Sequence, residues 1–287
     1  MSRAAASPAF LTHAPRYLWR FGRFILVAFL GFVLLLMLFE EKLIFIPTEF
    51  DGSRYWHPVG YQFEDIYFQS DDGTRLHGWY FPHKSPRAIV LFSHGNAGNV
   101  THRADIGDRL QSMGLSVFMY DYRGYGRSEG SPNEQGVLAD ARAARRQIAQ
   151  LAAVDEKDIV QMGRSLGGAV AVDLAAYDGA RGLILESTFS SIPDVAACQF
   201  PWLPVRRLMR TRLESISKIR LYQGPILQSH GIDDRTIPFH LGERLFAAAN
   251  TDNGHFAEFF TIRSGDHNDP QPDGYYRLLS DFIQQLP

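Results

Sequence analysis

From residue 61 to the C-terminus, short apolar runs alternate with windows of helical period, and this alternation restricts the fold more than any other feature of the chain. The runs occupy residues 88–93, 115–120, 158–162, 182–186, 225–229 and 258–262. Between and after them lie helical windows at 100–113, 134–151, 166–177, 241–250 and 275–285. Near-continuous apolar strands separated by helices are the pattern of a mostly parallel sheet covered on both faces. Two further runs, 64–69 and 75–81, bracket the turn Asp71-Asp72-Gly73-Thr74 and predict an antiparallel hairpin ahead of the parallel strands. Residues 61–287 therefore read as one domain. The Pro- and aromatic-rich stretch 188–220 breaks the rhythm and predicts a small inserted cap.

Upstream, residues 24–39 (FILVAFLGFVLLLMLF) form 16 consecutive residues without a charge. As a helix they extend ~24 Å, slightly less than a hydrocarbon core of ~30 Å. Tyr17 and Trp19 at one interface, with Arg20 and Arg23 reaching toward water, lengthen the usable span. This predicts an N-terminal segment 1–23, a transmembrane anchor 24–39 and a linker 40–60. A cleaved signal peptide and a buried core helix are the competing readings, and the run ends in Phe39-Glu40-Glu41-Lys42 without a small-residue cleavage site. Arg3, Arg16, Arg20 and Arg23 precede the run while only Lys42 and Arg54 follow closely, which places the N-terminus in the cytoplasm and the rest across the membrane, periplasmic in a bacterium.

Composition excludes several classes. With 29 Lys+Arg against 31 Asp+Glu, the chain has no overall field for nucleic acid, and a single cysteine, Cys198, makes neither an internal disulfide nor a cysteine-rich metal site. The net charge of −2 hides an uneven distribution: residues 1–42 carry +3, residues 200–220 carry +5, and the remainder −10.

Gly163-Arg164-Ser165-Leu166-Gly167 lies between a buried strand and a helix. A sharp strand-to-helix turn lifts a serine hydroxyl out of a sheet, flanking glycines leave room for the tight backbone, and the helix N-terminus supplies positive dipole where an oxyanion develops. Ser165 is thereby a candidate nucleophile; a chance match to three fixed positions is the bland reading.

With Ser93-His-Gly-Asn-Ala-Gly-Asn99, Tyr120-Asp-Tyr-Arg-Gly-Tyr-Gly126 and the His-Gly-x-x-Asp-x-x-Ile-Pro segment at 230–238, the chain resembles a serine hydrolase of the α/β-hydrolase superfamily. It is most similar to the membrane-associated branch that includes protein depalmitoylases. The resemblance implies the order Ser, Asp, His for a triad and no metal or organic cofactor. Its His-Gly-x-x-Asp pattern selects Asp234 over the adjacent Asp233, and its Gly-x-His-Asn segment selects His267, with Asp266 standing where a glycine is more usual. His267 also follows the last strand run, whereas His255 precedes it; His230 reads as a structural histidine. Glu186, at an earlier strand end, is a third candidate acid. The oxyanion hole is implied at the backbone N–H groups of Leu166 and Asn96. His94 reads as bracing that loop, and Asp121 with Arg123 as a loop-fixing pair.

Such a site predicts acyl transfer through Ser165, His267 and Asp234. Within 200–220, Arg206, Arg207, Arg210, Arg212, Lys218 and Arg220 interleave with apolar residues, which reads either as a lid helix with a solvated outer face or as a surface near anionic headgroups. Phe189, Phe200 and Trp202 are candidate substrate contacts. The expected substrate is a small-molecule or lipid-like acyl ester or thioester; amide or peptide hydrolysis on the same triad, and a non-catalytic membrane adaptor, are the alternatives.

Overall fold

A computed structural model describes residues 14–52, 54–56, 58–251 and 254–287. Two compact units divide the chain, Met1–Leu43 and Ile44–Pro287. In the first, helix α1 spans Ala14–Leu38 and a short α2 spans Glu40–Ile44. The stretch of α1 long and apolar enough to cross a membrane is Tyr17–Leu38, 22 residues or ~33 Å of helix. It is longer than the expected 24–39 because Tyr17, Leu18, Trp19 and Phe21 continue the apolar surface and nothing between them breaks a helix. Arg23 lies over the Trp19 ring at 4.6 Å. None of the apolar window is buried. Arg3, one of the basic residues expected to set orientation, lies outside the described residues, as do the side chains of Arg16 and Arg54.

The second unit is built on an eight-stranded sheet, β1 Glu64–Gln69, β2 Arg75–Phe81, β3 Ala88–Ser93, β4 Leu115–Asp121, β5 Ile159–Arg164, β6 Gly182–Glu186, β7 Ile226–Gly231 and β8 Ala257–Ile262, in the order β1-β2-β4-β3-β5-β6-β7-β8. β1 and β2 form the antiparallel hairpin, β2 runs antiparallel to β4, and all later pairings are parallel. The helices are α3 Ala104–Ser112, α4 Glu134–Ala152, α5 Leu166–Asp178, α9 Phe239–Ala247 and α10 Asp273–Gln284, with α6 Ile192–Gln199, α7 Val205–Leu208 and α8 Ser215–Lys218 in the insertion.

Alternation along the strands explains the two layers. Ile89 and Leu91 of β3 point into one core with Val137, Ala141 and Ile148 of α4 and Leu166, Val170 and Leu174 of α5. Val90 and Phe92 point into the opposite core with Leu110 of α3 and Tyr275, Leu279 and Phe282 of α10. Both faces are thus covered, and the parallel strands deliver their C-terminal ends to one edge.

The second unit begins earlier than expected, at Ile44 and not at residue 61. Phe45 and Trp56, placed by sequence in a linker, are buried at 2% and 1% exposure. Residues 46–50 run beside two loops at the C-terminal strand ends, bridging Pro47 to Gly98 and Glu49 to Gly126.

Candidate active site

Ser165 stands at the turn between β5 and α5 with φ +54° and ψ −119°, a left-handed conformation that side chains rarely adopt. The turn closes because its neighbours lack side chains. A Cβ on Gly163 would lie 2.1 Å from the Gly167 carbonyl oxygen, and one on Gly167 would lie 1.9 Å from that of Ser93. The strained geometry lifts the hydroxyl out of the sheet at the strand ends and aims the first turn of α5 at the space beside it.

His267 and Asp234 meet Ser165 from two separate loops. His267 Nε2 lies 3.1 Å from Ser165 Oγ, and His267 Nδ1 lies 2.8 Å from Asp234 Oδ2. A carboxylate only accepts, so Nδ1 carries the hydrogen and Nε2 presents its lone pair to the serine hydroxyl. Asp234 Oδ1 accepts from the N–H groups of Thr236 and Ile237 at 2.9 and 2.7 Å. Burial pushes the Asp234 carboxyl upward, but bonds from His230, His267 and Ile237 N–H outweigh it and hold the group well below its ordinary value. All three side chains are largely buried, at 8%, 6% and 8% exposure for Ser165, Asp234 and His267.

The neighbouring candidates separate cleanly. Asp233 is exposed. His230 Nε2 lies 2.9 Å from the Ile237 carbonyl and 3.3 Å from Asp234 Oδ2, so it braces the acid loop from beneath. His255 is exposed before β8. Glu186 is buried and lines a cavity of about 290 Å³ with Arg164, Gln271 and Tyr276. Burial raises its carboxyl, against the Arg164 charge and bonds from Tyr275 and Gln271. The loop after β3 abuts Ser165: a Cβ on Gly95 would meet Ser165 Cβ at 3.5 Å. Asn96 is the next residue in that loop, and its side-chain oxygen accepts from Ile46 N–H at 3.0 Å and Tyr125 O–H at 2.9 Å. His94 bonds the Gly95 carbonyl through Nδ1 at 2.7 Å, bracing the loop.

Arg123 does not pair with Asp121. Its guanidinium bonds Asp140 at 2.7 Å and Asp72 at 2.8 Å, and its own N–H reaches Asp140, because it lies beyond the end of β4 on the side facing α4. Asp121 instead accepts from Val100 N–H at 2.8 Å and approaches His94 Nε2 at 3.5 Å. Phe189, an expected substrate contact, is 1% exposed and packs in the core with Leu166, Leu213 and Leu241, so it offers a substrate no surface. Phe200 and Trp202 remain at the surface, edge to face at 6.4 Å. The basic cap is partly neutralised: Arg206 bonds Asp194 at 2.8 Å, Arg212 bonds Glu214 at 3.0 Å, and Lys218 bonds Asp173 at 2.6 Å. Among the described residues, no three His, Cys, Asp or Glu side chains are grouped to hold a metal ion.

Two contacts on the His267 loop carry no motif signature. Arg164, the variable position before Ser165, donates to the carbonyls of His267 and Asp269 at 2.7 and 3.2 Å. Asp266 accepts from the N–H groups of Arg235 and His267 at 3.0 and 2.8 Å and pairs with the Arg235 guanidinium. That pairing brings the Asp266 carboxyl down to about 2 and ties the acid loop to the base loop. The departure from glycine at 266 was the one trace of this in the sequence.

With this geometry in place, comparison with known proteins is direct. The profile of the Hydrolase_4 family, described as serine aminopeptidase, S33, matches residues 84–235, more than half of the chain. The Mycobacterium tuberculosis protein Rv2307c is 38% identical over 261 residues, covering 89% of this chain and 90% of its own length. The Saccharomyces cerevisiae membrane protein YNL320W is 31% identical over 257 residues, covering 85% and 89%. Among solved structures, an esterase of Pyrococcus furiosus superposes with a TM-score of 0.67 at 16% identity, covering 85% of this chain and 98% of that one, a likeness of fold. This chain belongs to the Hydrolase_4 family of the α/β-hydrolase superfamily.

Proposed function

We propose that the protein is a serine hydrolase that cleaves carboxylic ester or thioester bonds of lipid-like acyl substrates by an acyl-enzyme mechanism. The observation that carries this is the continuous relay from Asp234 through His267 to Ser165, with spacings of 2.8 and 3.1 Å. Ser165 Oγ gives its proton to His267 Nε2 and attacks the carbonyl; the imidazolium is held by Asp234; the N–H groups of Leu166 and Asn96 receive the oxyanion. His267 then returns the proton to the leaving group and activates the water that releases the acid. No step of this scheme calls for a metal or an organic cofactor.

The lipid-like substrate class rests on the apolar helix Tyr17–Leu38 and on Phe200 and Trp202, 41% and 59% exposed on the cap. Such a helix anchors the chain in a membrane, in keeping with the yeast relative, and Arg20 and Arg23 favour an N-terminus on the cytoplasmic side with the second unit opposite. Protease protection in sealed vesicles tests that orientation, and cleavage of the second unit only from the cytoplasmic side reverses it. Amide hydrolysis is the second reading, favoured by the aminopeptidase description of the matching family.

Replacing Ser165 with Ala is expected to lower turnover by about 10³-fold or more and to abolish labelling by a fluorophosphonate. Undiminished labelling in that variant rejects the nucleophile. A panel of p-nitrophenyl esters of rising chain length, acyl thioesters and aminoacyl amides then separates the two readings.

A further inference from the structure

The segment that follows the apolar helix is bonded to the loop on which the proposed oxyanion donor sits. Ile46 N–H donates to Asn96 Oδ1 at 3.0 Å. Asn99, three residues on, donates from Nδ2 to the Thr48 carbonyl at 3.0 Å. Thr48 also accepts from Gly126 N–H at 2.9 Å, and Phe50 N–H donates to the Gly126 carbonyl at 2.8 Å. Gly126 belongs to the same turn as Tyr125, whose hydroxyl is the other donor to Asn96 Oδ1 at 2.9 Å. Phe45 fixes the start of the segment by burial in the core that holds Leu166, Tyr122 and Tyr125.

The bonds of Thr48 and Phe50 with Gly126 join main chain to main chain and fix the backbone of the segment, while Ile46 N–H, Tyr125 O–H and the Thr48 carbonyl hold the Asn96 and Asn99 side chains. Asn96 is held from both sides, by Ile46 and by Tyr125, while Gly95 before it presses against Ser165. An oxyanion donor acts only where its N–H already points at the developing charge, and a displacement of about 1 Å costs about a hundredfold in rate. Both donors to the Asn96 side chain, Ile46 and Tyr125, lie outside residues 93–99.

We propose that residues 45–50 are a positioning strap for the oxyanion loop, Ile46 being the residue that sets Asn96 for catalysis. This rests on the triad reading above. Only the short α2 separates the strap from the apolar helix in the chain, so the catalytic rate responds to how residues 45–50 are seated, and any partner or membrane event that pulls on this segment acts on the oxyanion hole before it acts on the triad.

The test uses the full chain in detergent micelles. Ile46→Pro removes the donor to Asn96; Asn96→Ala removes the acceptor and keeps the backbone N–H. Each is expected to lower kcat about ten- to a hundredfold with KM within about twofold of wild type, and to weaken an alkyl boronic acid that mimics the tetrahedral intermediate by the same factor. The double variant is expected to be no slower than Asn96→Ala alone, because that change already removes the Ile46 bond along with the one from Tyr125. A purely structural role lowers Tm or the active fraction without a matching loss of boronate affinity. Wild-type kcat and boronate affinity in a folded Ile46→Pro protein overturn the proposal; if that variant does not fold, Asn96→Ala carries the same two outcomes. Ser165→Ala separates the levels: full activity there removes the triad reading and this inference together, whereas an inactive Ser165→Ala beside unaffected strap variants removes only this inference.

Discussion

Asp234 gathers hydrogen bonds that favour its charged form, and the consequence is a stability contribution with a defined sign. A carboxyl held below its ordinary 3.8 in the fold stabilises the native state above that pH and loses the contribution as pH falls through the lower folded value. Asp234→Asn is expected to remove this acid-side dependence in pH-titrated unfolding. It is also expected to lower kcat by about 10⁴-fold, because an amide no longer fixes the hydrogen on His267 Nδ1. Glu186 behaves in the opposite sense. Burial raises it above 4.5 despite the Arg164 charge, so its contribution is complete below that pH and is lost as pH rises through the folded value. Glu186→Gln is therefore expected to gain stability relative to wild type between pH 4 and pH 8, read as a rising difference in Tm. A constant difference across that range defeats the assignment of burial as the dominant cause.

At the scale of elements, one carboxylate outside the insertion holds two adjacent main-chain N–H groups within it. Glu134, in the first turn of α4, accepts the N–H groups of Arg212 and Leu213 at 2.6 and 2.8 Å. Leu213 needs that support, since it holds φ +35° and is 1% exposed. Glu134→Ala is expected to cost about 2 kcal/mol and to speed amide hydrogen exchange across residues 209–215, with the sheet amides little changed. The same contrast explains what the sequence disclosed. All eight strands were legible, to within a few residues, because each is a short mostly apolar run between helical windows or an arm of the hairpin. The helices α7 and α8, four residues each, span little more than one turn and cannot display a period. Ser165, Asp234 and His267 stand at motif positions. Ile46 bonds through its main-chain N–H, which any residue but proline supplies, and Arg164 bonds to main-chain carbonyls, whose positions no side chain in the sequence marks. Arg123 carried a motif but not its partner, because Asp140 lies 17 residues away on a helix whose facing is set only by packing.

At the scale of the whole molecule, the chain divides after Leu43, and that boundary makes a prediction that composition alone does not. By apolarity the uncharged run ends at residue 39, and residues 40–60 carry no further long apolar run, so a cut at residue 60 looks as harmless as one at 43. The structure separates them. Removal of residues 1–43 takes away the apolar helix and leaves Phe45, the strap and Trp56 in place. Removal of residues 1–60 also strips Phe45 and Trp56, 2% and 1% exposed, from opposite cores. Burying one such side chain contributes about 1.5–3 kcal/mol, so the longer truncation is expected to lose about 3–6 kcal/mol and to expose apolar surface on both faces of the sheet. The shorter form is expected to stay in the supernatant after high-speed centrifugation and to unfold in urea with a midpoint set by the second unit alone. Equal midpoints for the two truncations would mean that the strap and Trp56 are passengers on the fold, and the domain would then begin at residue 61 after all.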